Sequence, residues 1–215
     1  GRCACVDGFF AFADFADLID EDNNLGRLRT TSTLGWKNDG TCSFNKGKPS
    51  NCEYNALYAY GTRSFSVWDS TTGKLVFDSG SDFEKITSQR LGADFNSNHE
   101  ENGGDGRSDD KGPEPEALAI GKIAGHNYAF VGLERVGGIM VYDITEPENV
   151  RFVQYLNTRN FTAANNTSAA GDLGPEGFKF IKAEDSPNGK PLLLVGNEVS
   201  GTTAIFQINP VNLAQ

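Results

Sequence analysis

The sequence predicts an all-β fold, specifically part of a β-propeller: about three to four blades of a seven- or eight-bladed ring. Three observations carry this. A motif recurs at a spacing of about 60 residues. Its apolar runs are rich in Val, Ile, Tyr and Phe and are separated by Gly, Asn and Asp turns. No amphipathic helix of convincing length interrupts them. The one ambiguous segment, FFAFADFADLID at 9–20, reads as a strand pair or a helical turn.

The recurring motif has parts in a fixed order. One copy runs from Pro115 to Ile144 and another from Pro175 to Ile208. A Pro-Glu pair opens each. A short apolar strand follows, ALAIG in one and GFKFI in the other. A polar turn leads to a second strand, YAFVGLE against LLLVGNE. A Gly-rich turn leads to a third, GIMVYDI against TTAIFQI. RFVQYLN at 151–157 supplies a fourth strand to the first of these copies. A weaker copy, ALYAYGTRSFSVWDSTTGKLVFDSG, precedes both. The blades are therefore expected at about 54–80, 113–157 and 174–208, in a chain read as one propeller portion over 1–215, with an acidic insertion at 92–112. A β-sandwich is the runner-up, but a sandwich has no reason to repeat at a fixed period. Two full copies do not close a ring. The remaining blades are expected from a longer or cleaved precursor, or from other copies in an oligomer or filament.

Charge narrows the partners. Nineteen basic residues against 29 acidic ones give a net charge of −10. Nucleic acids and anionic membranes attract positive surfaces, so neither is an expected partner. No apolar run in the sequence approaches the ~20 residues of a membrane span.

The covalent signals point outside the cell. Four cysteines, Cys3, Cys5, Cys42 and Cys52, permit two disulfides. Cys42 and Cys52 flank the polar loop TCSFNKGKPSNC, which a bridge would close. Cys3 and Cys5 lie too near each other to pair comfortably. A zinc site fits poorly, because the spacing matches no common ligand pattern. Three N-glycosylation sequons crowd one polar stretch: Asn160-Phe-Thr162, Asn165-Asn-Thr167 and Asn166-Thr-Ser168.

Repeated glutamates form the leading candidate site. Glu116 and Glu176 precede the first strand of their copies, and Glu134 and Glu198 end the second. Equivalent positions in successive blades are related by rotation, so carboxylates near the axis would converge. Converging carboxylates repel unless a cation or proton sits between them. Calcium, which takes several oxygen ligands in flexible geometry, is the expected cofactor. The plain alternative is that each glutamate caps backbone amides or pairs with a base such as Arg135. A second candidate is Asp20-Glu-Asp22-Asn-Asn24-Leu-Gly26, with oxygen donors at alternate positions. It departs from the EF-hand pattern: its Gly falls one place late, and Thr31 stands where the closing Glu belongs. The alternative there is a solvated acidic turn.

The loop 92–114 carries Asp94, His99, Glu100, Asp105, Asp109 and Asp110. Long loops are functional or disordered. His99 beside Glu100 is the one place where acid–base or transition-metal chemistry could start. His126, in the turn AGHN, reads as a merely exposed residue. No catalytic residue can be named, because nucleophile-elbow, HExxH and P-loop motifs are all missing.

Four motifs resemble a known family: KGPEPEALAIG, YAFVGLERVGGIMVYDI, GDLGPEGFKFI and LLLVGNEVSGTT, with LGRL near Leu25 as an N-terminal landmark. Together they resemble the C-terminal half of the choice-of-anchor I domain over roughly residues 12–208. That family includes mesenchyme-specific cell-surface glycoproteins of biomineralising cells. The resemblance implies a β-propeller, an extracellular location and a variable C-terminal anchor. The expected function is that of a secreted, calcium-associated glycoprotein serving as a structural, adhesive or matrix module. The alternative is a calcium-dependent phosphoesterase of the alkaline phosphatase or phytase kind, for which Arg107, Lys111 and Arg135 are the candidate phosphate holders.

Overall fold

The polar segment between Cys42 and Cys52 folds into a short antiparallel hairpin in a computed structural model of the chain. Strand β1 (Ser43–Asn45) pairs with β2 (Lys48–Ser50), setting Ser43 opposite Ser50. The expected Cys42–Cys52 disulfide closes the hairpin at its base. The structure describes residues 22, 26–40, 42–46, 48–50, 52–165 and 167–210. Cys3 and Cys5, and the ambiguous segment 9–20, lie outside the described residues.

Residue contacts divide the chain into two units: 1–61 with 108–111, and 62–107 with 112–215. The first unit contains the disulfide hairpin and two isolated bridges, Thr30 to Ala59 and Trp36 to Tyr54. Arg29 is anchored there by Asp109, whose carbonyl accepts its backbone N–H at 2.6 Å.

The second unit begins with the hairpin of β3 (Ser66–Trp68) and β4 (Leu75–Asp78), followed by a ten-residue helix, α1 (Asp82–Leu91). Next comes a four-stranded antiparallel meander: β5 (Pro115–Ile123), β6 (His126–Leu133), β7 (Ile139–Asp143) and β8 (Arg151–Leu156). A three-stranded meander closes the described chain: β9 (Pro175–Ile181), β10 (Leu192–Asn197) and β11 (Thr202–Gln207). Among the described residues the fold is all-β, with antiparallel sheets and one short α-helix.

The alternation of side chains along β6 and β7 feeds two cores, one on each face of the sheet. On one face Val131, Leu133, Met140 and Tyr142 pack against Phe83 of α1, with Phe65 at the edge. The ring centroids of Phe65 and Tyr142 are 4.9 Å apart. On the other face Phe130 and Ile139 meet Leu193, Val195, Phe178 and Phe180 of the three-stranded sheet. Phe130 and Phe180 stack at 6.0 Å. The two meanders are thus packed face to face.

Three sequence expectations differ from the structure. The ALYAY segment forms no strand; only Ala59 makes a bridge, so the copy expected at 54–80 contributes just β3 and β4. Helix α1 was not expected, although Phe83, Ile86, Thr87 and Leu91 recur at helical spacing before Gly92. The acidic insertion 92–112 is built into the fold rather than loose: Asn96 and Ser97 are fully buried and His99 nearly so.

Candidate functional site

Both repeated Pro-Glu pairs sit at β-bulges. In the first sheet Pro115 pairs with Leu133 and Ala117 with Gly132, which leaves Glu116 as the unpaired residue. In the second, Pro175 pairs with Asn197 and Gly177 with Gly196, which leaves Glu176. A bulge re-aims the side chain of its extra residue. Glu134 and Glu198 follow directly after β6 and β10. Their backbone amides are held alike: Glu134 donates to the Glu114 carbonyl at 2.7 Å, and Glu198 to the Gly174 carbonyl at 2.8 Å. Glu114 and Gly174 share a positive φ, 54° and 72°.

Three of these carboxylates meet at the surface. Glu176 is exposed and lies within hydrogen-bonding reach of Glu198 and of Glu116. The hydrogen bond shared with Glu198, then the negative charge of Glu198 and, less, that of Glu116, raise the Glu176 carboxyl above its usual value. Glu116 also belongs to a second group. One oxygen each from Glu114, Glu116 and Glu134 lies within 4.8 Å of the others. Glu116 therefore links an exposed trio to a buried pair.

The buried pair is already charge-compensated. The side chains of Glu114 and Glu134 are only 2% and 8% exposed. Arg107 pairs with Glu114, and Arg135 reaches it with Nε at 3.1 Å. The same Arg135 Nε lies 2.7 Å from Glu134. His99 Nδ1 is 2.9 Å from the other Glu134 oxygen, and its Nε2 is 2.8 Å from Arg135 Nη1. Arg135 has only protons to give, so His99 Nε2 is the acceptor, and a neutral ring then carries its proton on Nδ1, the nitrogen that faces Glu134. Burial, and then the neighbouring guanidiniums of Arg135, Arg159 and Arg107, lower the His99 pKa below its ordinary 6.5, against the pull of Glu100. Ions held away from water are tolerable when matched in this way.

Arg159 fixes the loop that carries His99. It is 7% exposed. Its guanidinium donates to the carbonyls of Asn98 (2.6 Å) and Arg135 (3.0 Å) and to the Asn102 side chain (2.8 Å), and it lies 4.4 Å from the centre of the Phe161 ring. Asn165 Nδ2 donates to the His99 carbonyl at 2.8 Å, and Asn102 Nδ2 to the Ala163 carbonyl at 2.7 Å. Sequence reasoning missed Glu114 and Arg159. The PEPE pair offered a signal for Glu114. Arg159 offered none, because its acceptors are mostly backbone carbonyls.

The other candidates stand apart. Asp22 is described, and its carbonyl accepts from Arg27 Nε at 2.9 Å; Asp20 and Asn24 lie outside the described residues. His126, expected to be merely exposed, is half exposed but bonded to Asp143 at 3.0 Å. Arg107 and Arg135, proposed as phosphate holders, are committed to the buried glutamates, and Lys111 belongs to the first unit. Asn160 is exposed and Asn165 half-buried, while Asn166 lies outside the described residues.

The choice-of-anchor I domain matches residues 7–147. That is well over half of the chain and includes Glu114, Glu116 and Glu134. This chain belongs to the choice-of-anchor I domain family. Its match ends before the second Pro-Glu copy, short of the expected 208. The chain is also similar to Gigasin-3a of Magallana gigas, at 30% identity over 201 residues. That alignment covers 88% of this chain, and the chain spans 66% of that relative. No solved structure matches the chain at a significant level. The family and the disulfide fit an extracellular or cell-surface protein. Among the described residues, no helix is long and apolar enough to cross a membrane.

Proposed function

We propose that this protein is an extracellular structural or matrix glycoprotein whose stacked sheets are consecutive propeller blades pinned by a calcium ion at Glu116, Glu176 and Glu198. The observation that carries the reading is the convergence of exposed carboxylates from two sheets on Glu176. Hard cations take oxygen donors, and a carboxylate trio supplies them without nitrogen or sulfur. The matching bulges and amide contacts explain why both sheets aim a glutamate at the same place. Glu114 and Glu134 then act as the floor of the site, since their charges are balanced by Arg107, Arg135 and His99. Commitment of the two arginines also weighs against a phosphoesterase, which would need them for phosphate. Leu118 and Ile120 on β5 remain 56% and 60% exposed, which supports further blades, supplied by the rest of a longer precursor, packing on that face.

The test is thermal melting in chelator against millimolar calcium. Calcium should raise the Tm by mass action. Glu176→Gln, which removes one charge from the trio, should raise the Tm in chelator and shrink the calcium increment. An unchanged Tm on adding calcium would remove the cation from the reading and leave the glutamates as ordinary surface residues.

A further inference from the structure

We infer that, of the two described sequon asparagines in the 158–171 loop, Asn160 is an N-glycan acceptor and Asn165, five residues on in an equally valid sequon, is not. The inference rests on the extracellular reading above. It is carried by the way the loop is folded around each asparagine.

Asn160 is held at the surface by neighbours that point inward. Arg159 before it is buried, and Phe161 after it lies against the Arg159 guanidinium at 4.4 Å. With both flanking side chains anchored, Asn160 projects to solvent. The sequon closes on itself as an Asx turn: Asn160 Oδ1 accepts from the Thr162 amide at 3.0 Å and from the Thr162 hydroxyl at 2.7 Å. Acceptor amide and sequon hydroxyl are therefore already in contact. Asn160 Nδ2 donates one N–H to the Ala169 carbonyl at 3.2 Å. Its second N–H is the one a sugar replaces. In that step the Nδ2–C1 bond forms, the C1–O bond to a lipid-linked pyrophosphate donor breaks, and Nδ2 gives up one proton. The glycosylated amide keeps one N–H, so the contact with Ala169 survives.

Asn165 offers the opposite geometry. Its Nδ2 donates inward to the His99 carbonyl at 2.8 Å, and its Oδ1 is buried with no hydrogen-bond partner. The amide oxygen is enclosed and the nitrogen is turned toward the 98–102 segment. A sugar there would have to pry the loop from the segment that carries His99.

The experiment expresses the chain with a supplied secretion signal in eukaryotic cells, in an Asn166→Gln background. That substitution removes the overlapping third sequon and keeps the Asn165 sequon as Asn-Gln-Thr. Enzymatic deglycosylation in heavy-oxygen water then marks each formerly occupied asparagine for peptide mass spectrometry. Most secreted chains should carry the label at Asn160 and none at Asn165. Thr162→Ser should retain the glycan and Thr162→Val abolish it. A label at Asn165, or none at Asn160, would overturn the assignment. Because passage through the secretory pathway is imposed, a bare Asn160 counts against the site and not against the extracellular reading. A labelled recombinant chain beside a bare natural one would uphold the site and remove the extracellular reading instead.

Discussion

His99 is where burial and charge bear most directly on stability. Its ring is enclosed, neutral, and fixed between Glu134 and Arg135. Glu134 alone would favour an imidazolium, but Arg135 already balances the charge of that carboxylate, and three guanidiniums oppose another positive charge. The folded pKa is thus below the unfolded value near 6.5. Between those two values the unfolded chain binds the extra proton. Stability from this residue is fully present above about pH 6.5 and is lost as pH falls through the depressed folded pKa. We expect His99→Gln, which keeps a hydrogen-bonding side chain and cannot titrate, to flatten the decline of Tm below pH 6.5 even if it lowers the Tm at pH 7.5. Melting curves at half-unit steps from pH 7.5 to 5 check this. A variant that declines as steeply as the parent protein would show that the ring takes up its proton in the folded protein as readily as in the unfolded chain.

The sheet interface sets the tolerances of the strands that form it. Gly132 on β6 pairs with Ala117, and a Cβ at this position would lie 2.7 Å from the Phe178 ring and 3.0 Å from the Pro175 carbonyl. The carbonyl belongs to the residue beside Glu176, so relief of the clash must move the bulge. Gly132→Ala should cost about 1–3 kcal/mol, as overpacking does. Equilibrium urea unfolding measures this, and a loss under ~0.5 kcal/mol, typical of a surface change, would mean that the sheets separate easily. The strands on either side of this interface were legible in the sequence, because their apolar runs and Gly-rich turns announce antiparallel meanders. The equivalence of Glu116 with Glu176, and of Glu134 with Glu198, was legible from the repeated Pro-Glu and strand-end patterns. The bulges that aim the first pair were not, since a bulge is a property of register between two strands. The partition into an exposed trio and a buried, arginine-matched pair was also hidden. It depends on Arg107 and His99, which arrive from an insertion whose acidic composition reads as solvated loop. That insertion is ordered by Arg159 through backbone carbonyls, an interaction that leaves no pattern in the side-chain sequence.

Across the whole molecule, a net charge of −10 makes self-repulsion a standing cost of the folded state. That repulsion is uneven. The buried glutamates are matched by arginines and are poorly screened by salt, because water and ions do not reach them. The exposed trio around Glu176 is open to solvent and carries like charges in contact. Added salt should therefore act mainly on the trio and on the general acidic surface, where the screening length shrinks from about 10 Å at 0.1 M to about 3 Å at 1 M. In chelator, the Tm should rise as sodium chloride is raised from 20 mM to 500 mM. With calcium saturating, part of the repulsion is already neutralised by a bound ion, so the same salt series should raise the Tm less. Choline chloride in place of sodium chloride should give the same pair of slopes, because screening depends on ionic strength and not on the identity of a weakly interacting cation. Equal slopes with and without calcium would mean that no ion neutralises the trio. The acidic surface would then be repelling itself uniformly, with no special contribution from Glu116, Glu176 and Glu198.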